Sequence, residues 1–319
     1  MGEVRAVEPS ELVGLPPLMA RTSGLPSVVI GVIDGRVSPG HPAFAGHSVR
    51  ELGPSADAES CRRTDVCCAH GTAVAGILVA DGGVAPGCTL LSRPLFTDRP
   101  ADGGPATCLS GVPTGELARA LTEMVDAGAH VVNLSMAQPA PSGIRDHALE
   151  EALAHAAARG VILVVAAGNQ GRLGSSVLTD HPWVIPVVAY DRAGHPMPQS
   201  NLGTSAGRHG VGAPGDRVQI PVTDSPPLVL SGTSAAAPFV TGTVALLRSA
   251  FPQATPAAVR YAVTHGPGRR RSVTPPLLNA WAAYTALRDG GIRGGGIRGD
   301  RSWGTAQPNT SSCEEISRA

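Results

Sequence analysis

Ser231-Gly232-Thr233-Ser234-Ala235-Ala236-Ala237-Pro238 sets one hydroxyl among residues too small to obstruct it, the form of a nucleophile motif. Residues 239–247 are apolar nearly all round and predict a buried helix. Ser234 then lies at the N-terminal end of that helix, where free N–H groups and the positive dipole end can stabilise a developing oxyanion. A plain helix cap is the alternative role for this hydroxyl.

Three upstream segments carry chemistry of their own. Val29-Ile30-Gly31-Val32-Ile33-Asp34-Gly35 reads as a buried strand with a carboxylate at its end and Gly35 as a turn former. The C-terminal edge of a parallel strand is where α/β sheets usually place their sites. In Ala69-His70-Gly71-Thr72-Ala73-Val74-Ala75-Gly76, His70 opens a helix of small and aliphatic residues that can approach a sheet closely. Val161-Ile162-Leu163-Val164-Val165-Ala166-Ala167-Gly168-Asn169 is a strand ending in an amide. Taken singly, Asp34 reads equally as a turn acid, His70 as a helix cap and Asn169 as a loop residue. All four motifs in this order are hard to obtain by chance.

The elements that must position these residues follow a regular plan. A helical pattern at 115–121 leads to a strand at Val131, and another at 146–156 leads to the strand at Val161. That alternation predicts an α/β fold, a mostly parallel central sheet with helices on both faces. With 319 residues, 42% of them hydrophobic, the chain can bury one large core. Aromatics are only 3%, so Val, Leu, Ile and Ala must fill it.

On these residues the chain resembles a subtilisin-family serine protease, from about residue 28 to residue 265. The resemblance implies a three-layer subtilisin-like fold and a role for each position. Ser234 is implied as the nucleophile and His70 as the base that takes its proton and returns it to the leaving amine. Asp34 is implied to hold the imidazole in the right tautomer and stabilise its charged form. Asn169 is implied to donate its side-chain amide to the oxyanion, with the Ser234 backbone N–H as partner. In subtilisin itself, losing such an amide lowers turnover about 10²–10³-fold. The chain order Asp, His, Ser is that of subtilisin, distinct from the chymotrypsin and α/β-hydrolase orders. Leu134, Ser135 and Met136, with Ala166, Ala167 and Gly168 opposite, are implied as walls of the pocket for the residue before the scissile bond. The peptide would add there as an extended strand; ordinary core packing accounts equally well for the Leu134 and Met136 side chains. Gly83-Val84-Ala85-Pro86 and Ala213-Pro214-Gly215 resemble family turns.

Two departures matter. Gly35 and Arg36 follow Asp34 where the family usually has Ser or Thr and then Gly, and Arg36 is expected to point into solvent. The stretch from Ala80 to Gly83 is short where many secreted relatives insert a calcium loop, so no strong calcium site is expected there. No metal or cofactor is called for.

Ile33-Asp34-Gly35-Arg36-Val37, His41-Pro42-Ala43-Phe44 and Asp126-Ala127-Gly128-Ala129-His130-Val131-Val132-Asn133 look most like the proteases that mature cyanobactins. Those enzymes cleave leader or follower segments from ribosomally made precursor peptides. The resemblance implies a serine endopeptidase acting through an acyl-enzyme, with precursor maturation as its duty. General intracellular proteolysis, or peptide binding without cleavage, are the alternatives. No macrocyclase-associated domain is evident, so hydrolysis is expected rather than transpeptidation.

The remaining features bound partners and place. The 25 basic residues, all Arg, balance 25 acidic ones, which gives no electrostatic reason for a nucleic-acid or membrane partner. Residues 1–27 hold Glu3, Glu8 and Glu11 and no continuous apolar core, unlike a secretory signal, and leave no room for a folding pro-domain. A cytoplasmic protein is expected, with 1–27 packing on a protease domain at 28–289 that ends in a helix near 277–284. The six cysteines then default to reduced thiols. Their crowding before His70 leaves open a disulfide among Cys61, Cys67, Cys68, Cys88 and Cys108, or a zinc site. Residues 290–319 nearly repeat a Gly-Gly-Ile-Arg-Gly unit and read as a flexible tail. Arg269-Arg270-Arg271 reads as a solvated loop.

Overall fold

The computed structural model describes residues 8–53, 61, 65–96, 112–135, 146–220, 227–265 and 272–290. In chain order its first elements are α1 (Pro9–Leu12), α2 (Pro16–Met19), β1 (Val29–Gly35), β2 (Val49–Glu51), α3 (Val66–Val79), β3 (Thr89–Phe96), α4 (Thr114–Asp126) and β4 (Val131–Leu134). There follow α5 (His147–Ala158), β5 (Ile162–Ala166), α6 (Val177–Asp180), β6 (Val184–Tyr190), α7 (Thr204–His209) and β7 (Val211–Pro214). A short antiparallel pair, β8 (Val218–Ile220) and β9 (Leu228–Leu230), precedes α8 (Thr233–Ala250), α9 (Pro256–Thr264) and α10 (Ala280–Arg288). The tail, the triple-arginine segment, Met136, Cys108 and Cys313 lie outside the described residues.

The seven larger-sheet strands run in the order β2-β3-β1-β4-β5-β6-β7, and every pair is parallel. Successive side chains feed two separate cores. Ile30, Val32, Val131, Ile162 and Val164 point into one core with α3 and α8. Ile33, Val132, Leu134, Leu163 and Val165 point into the other with α4 and α5. Because helices cover both faces, these strands are apolar without interruption. The α/β architecture expected from the sequence, a parallel central sheet with helices on both faces, is therefore present. Near the chain start, Val13, Leu15 and Leu18 are buried in the α3–α8 core, and the Ala280 N–H donates to the Val13 carbonyl at 2.8 Å.

Three local readings are corrected. Gly35 is no turn: it lies within β1, and its role is close approach. A Cβ at position 35 would fall 2.0 Å from the Cys67 carbonyl oxygen, and one at Gly71 would fall 2.3 Å from the Gly35 carbonyl oxygen. Strand and helix backbones meet here with no side chain between them. His70 does not open its helix: α3 starts at Val66, which puts His70 one turn inside. The expectation of reduced cysteines fails as well, since Cys61 and Cys68 form a disulfide and Cys67 is also disulfide-bonded. Residue 61 and the first turn of α3 come near enough for this, with Cα atoms 5.8 Å apart. Cys88 stays a buried free thiol.

The glycine contact gives a direct test. Gly35→Ala is expected to lower unfolding free energy by about 1–3 kcal/mol, as overpacking does. Gly115→Ala, in a helical position with nothing within 4 Å of the added Cβ, is expected to be neutral or stabilising by up to about 1 kcal/mol. Urea denaturation of the two variants compares them; equal effects contradict the packing argument.

Candidate active site

Sheet order makes β1, β4 and β5 neighbours, so Asp34, Ser135 and Asn169 emerge side by side from their C-terminal ends. Asp34 has no exposed surface. Its Oδ1 accepts from the Gly35 N–H at 2.6 Å and from His70 Nδ1 at 2.7 Å. Its Oδ2 is buried and has no hydrogen-bond partner among the described residues. Donation from Nδ1 fixes the His70 tautomer and leaves Nε2 of the neutral ring as an acceptor. Burial pulls the His70 pKa down, but the charge of Asp34 and its hydrogen bond together outweigh burial and raise it.

Arg36 does not point freely into solvent, contrary to the expectation. Its Nη2 donates to Glu51 Oε1 at 2.8 Å. The order β2-β3-β1 aligns Glu51 with Ser92 and Ser92 with Val32, so Glu51 stands on the strand beyond β3, and the long Arg36 side chain just past β1 reaches across to it.

Ser234 sits in the first turn of α8 and is buried. The turn begins at Gly232 with φ +87°, a left-handed conformation that favours glycine, and a Cβ there would also fall 2.7 Å from Asn169 Oδ1. The Ser234 hydroxyl donates to the Ser135 carbonyl at 3.0 Å, and no hydrogen bond links it to His70. Its own N–H stands in the first turn of the helix, where backbone donors lack intrahelical acceptors. Behind Ser135 runs a buried polar thread that the sequence reading missed. Asn133 Nδ2 donates to Ser135 Oγ at 2.7 Å, and Thr241 Oγ1 donates to Asn133 Oδ1 at 2.9 Å. The available signal was an amide inside an otherwise apolar strand.

Asn169 lies three residues beyond β5, and Thr233 orients its amide. Asn169 Oδ1 accepts from the Thr233 N–H at 2.9 Å and from Thr233 Oγ1 at 3.2 Å. With Oδ1 so held, Nδ2 is the end left to donate to a third group. Thr233, too, was not singled out from the sequence, although it neighbours Ser234. Among the expected pocket residues, Leu134 buries its side chain in the core under α4 and α5, so only its backbone borders the site. Ser135 and Ala166 are buried, and Ala167 is half-buried. Gly168 donates its N–H to Thr233 Oγ1 at 3.2 Å. Among the described residues no group of three or more His, Cys, Asp or Glu could hold a metal ion. A carboxylate-held imidazole, a hydroxyl at a helix start and a fixed amide donor are the parts needed for acyl transfer.

Comparison with known proteins points the same way. A family model described as Peptidase_S8, the subtilase family, matches residues 26–276. Mycosin-3 of Mycobacterium tuberculosis is 31% identical over 322 residues, covering 81% of this chain and 67% of that protein. The chain spans 38%, 50% and 64% of three further curated relatives. Among solved structures, the prenylagaramide maturation protease PagA superposes with a TM-score of 0.73 at 30% identity, covering 86% of this chain and 98% of that one. The patellamide maturation protease PatA gives a TM-score of 0.68 at 31% identity, covering 83% and 98%.

The dyad's electrostatics predict a pH profile. With the role for His70 expected from the sequence, only the neutral ring could take a proton from Ser234, so the rate of fluorophosphonate labelling should rise with pH. Its midpoint is expected above 6.5, the ordinary histidine value. In Asp34→Asn burial remains without the compensating charge, and NMR titration of the His70 ring should give a midpoint below that of the wild type. A wild-type midpoint at or below 6.5 contradicts the pairing.

Proposed function

The chain belongs to the subtilase family, and we propose that it is a serine endopeptidase that matures a ribosomally made precursor peptide. The observation that carries the chemistry is the 2.7 Å pair between buried Asp34 and His70, on the same face of the sheet as Ser234. In this reading Ser234 Oγ turns from the Ser135 carbonyl to His70 Nε2 and attacks the scissile carbonyl as His70 takes its proton. Asp34 keeps the imidazole oriented and stabilises its cationic form. The oxyanion is received by Asn169 Nδ2 and the Ser234 N–H. His70 then protonates the leaving amine, and water resolves the acyl-enzyme by the same steps in reverse.

The substrate lies extended along Leu134 and Ser135 on one side and Ala166, Ala167 and Gly168 on the other, where main-chain hydrogen bonds can add it as a strand. The likeness to PagA and PatA, near 30% identity over more than four-fifths of this chain, favours a precursor peptide over general protein turnover. Residues 28–289 form the catalytic unit in this reading, with residues 8–27 laid against it.

We keep the cytoplasm as the place of action. No described helix is long and apolar enough to cross a membrane. The Cys61–Cys68 bond, together with the disulfide state of Cys67, favours a second reading, an oxidising compartment. Alkylation of the protein trapped in source cells separates them: free thiols at both positions support the cytoplasm, and a joined pair supports the alternative.

Cleavage of a peptide library, with cut sites mapped by mass spectrometry, tests the function. The wild type should cut a narrow set of sites, and Ser234→Ala should lose about 10⁶ in turnover. Broad cutting by the wild type would favour general proteolysis instead. Cutting retained in Ser234→Ala would remove Ser234 from the mechanism.

A further inference from the structure

We propose that Asn201 is a positioning residue for the oxyanion site, holding the 167–172 segment in the shape that aims Asn169 at the reacting carbonyl. The proposal deepens the peptidase reading above and rests on it. Residues 169–172 are exposed and lie outside any regular helix or strand, so apolar packing does not fix them. Hydrogen bonds do so instead: main-chain bonds join Gly171 N–H to the Gln199 carbonyl at 2.7 Å and Leu202 N–H to the Arg172 carbonyl at 2.9 Å, and the Asn201 side chain makes four more. Asn201 Oδ1 accepts from the Gln170 N–H at 3.1 Å and the Arg172 N–H at 3.0 Å. Its Nδ2 donates to the Ala167 carbonyl at 3.0 Å and to Gln170 Oε1 at 2.7 Å. The Asn201 main-chain N–H adds a bond to the Gly168 carbonyl at 2.8 Å.

These contacts use both donors and both acceptor lone pairs of the amide. They grip the chain on each side of Asn169 without touching Asn169 itself. Thr233 then fixes the remaining freedom, the orientation of the Asn169 amide. Labour is divided: Asn201 ties the backbone on both sides of Asn169, beside the main-chain bonds of Gln199 and Leu202, and Thr233 sets the Asn169 side chain. No other residue type of this size supplies two donors and two acceptors on a fork this short. Asp keeps the acceptors but turns a charged oxygen toward the Ala167 carbonyl. Because Asn201 reaches the reaction only through Asn169, its loss should act on the transition state more than on substrate binding.

A double-mutant cycle tests this, using kcat and KM on a peptide that the wild type cuts and hydrogen exchange at the Gln170 and Arg172 amides. Asn201→Ala should lower kcat by about 10–100-fold, up to but not beyond the loss of an oxyanion donor itself, and leave KM within about threefold. Exchange at the two amides should quicken by about tenfold or more. In the Asn169→Ala background, Asn201→Ala should cost no more than about threefold further. A kcat for Asn201→Ala within threefold of the wild type, or losses that simply multiply in the double variant, overturns the proposal. If Asn201→Ala does not fold, Asn201→Asp, which keeps the acceptors and removes both donors, carries the same cycle with an expected fall of about fivefold or more in kcat. A wild type with neither turnover nor fluorophosphonate labelling overturns the peptidase reading instead. The exchange measurement still judges the clamp in that case: unchanged Gln170 and Arg172 exchange in Asn201→Ala refutes it.

Discussion

Backbone-to-backbone contact between β1 and α3 is the constraint from which the site is built. A carboxylate on a strand and an imidazole on a helix normally stand too far apart to bond, because a helix keeps its distance through its own side chains. Here Gly35 and Gly71 remove those side chains at the crossing, and the Asp34–His70 distance closes to 2.7 Å. The rest of α3 serves the same approach. Ala73, Ala75 and Gly76 keep the buried face small, and Thr72 Oγ1 accepts the Ser38 N–H at 3.0 Å, tying the helix to the chain that leaves β1. The Cys61–Cys68 bond joins this helix's first turn to residue 61, seven residues earlier.

The other half of the site repeats this logic with α8. The helix lies over β4, β5, β6 and β7, and its first turns are Thr, Ser and Ala, so the strand ends reach it closely. One polar thread, Thr241 to Asn133 to Ser135, crosses an otherwise apolar interface and is satisfied at each step. Such a network specifies a register as an apolar core cannot, because a shift of one residue would strand a buried amide. It ends on the residue whose carbonyl receives the Ser234 hydroxyl. Helix, strand and the Ser234 hydroxyl are therefore held in a common frame.

What the sequence made legible was the pattern of strand ends and small-residue helices. Apolar runs at Val29, Val131 and Val161 have one reading in a sheet covered on both faces; Asp34 and Asn169 follow two of them, and His70 and Ser234 lie in small-residue helices. Side-chain partners depended on strand order, which local pattern does not reveal. Arg36 had no visible partner until the order β2-β3-β1 brought Glu51 alongside. Gly35 looked like a turn because glycine marks turns and close approaches alike; only the position of Cys67 separates the two. The cysteine reading failed for a different reason. It was inferred from an expected compartment, whereas pairing depends on the meeting of residue 61 with the first turn of α3. Asn201 sits in an unremarkable Ser-Asn-Leu-Gly loop, and nothing local marks its four side-chain contacts.

The remaining question is why so buried a carboxylate is tolerated. Oδ1 of Asp34 receives two donors and Oδ2 receives none among the described residues, so its hydrogen bonding falls short of what water would give. A buried charge in that state is destabilising unless an opposite charge stands beside it. In the free chain the Ser234 hydroxyl rests on a main-chain carbonyl, so a neutral His70 gives Asp34 only a hydrogen bond. Proton transfer from Ser234 in the proposed reaction makes the ring cationic, and the pair attracts strongly where little water screens it. The raised His70 pKa expresses that preference: despite burial, the ring gains by becoming charged next to Asp34. In the proposed reaction Asp34 fixes the tautomer of the resting ring and stabilises it most when the imidazolium forms. An interaction stronger in the transition state than in the ground state is what accelerates a reaction, and the close approach of Gly35 to Gly71 is what makes it available.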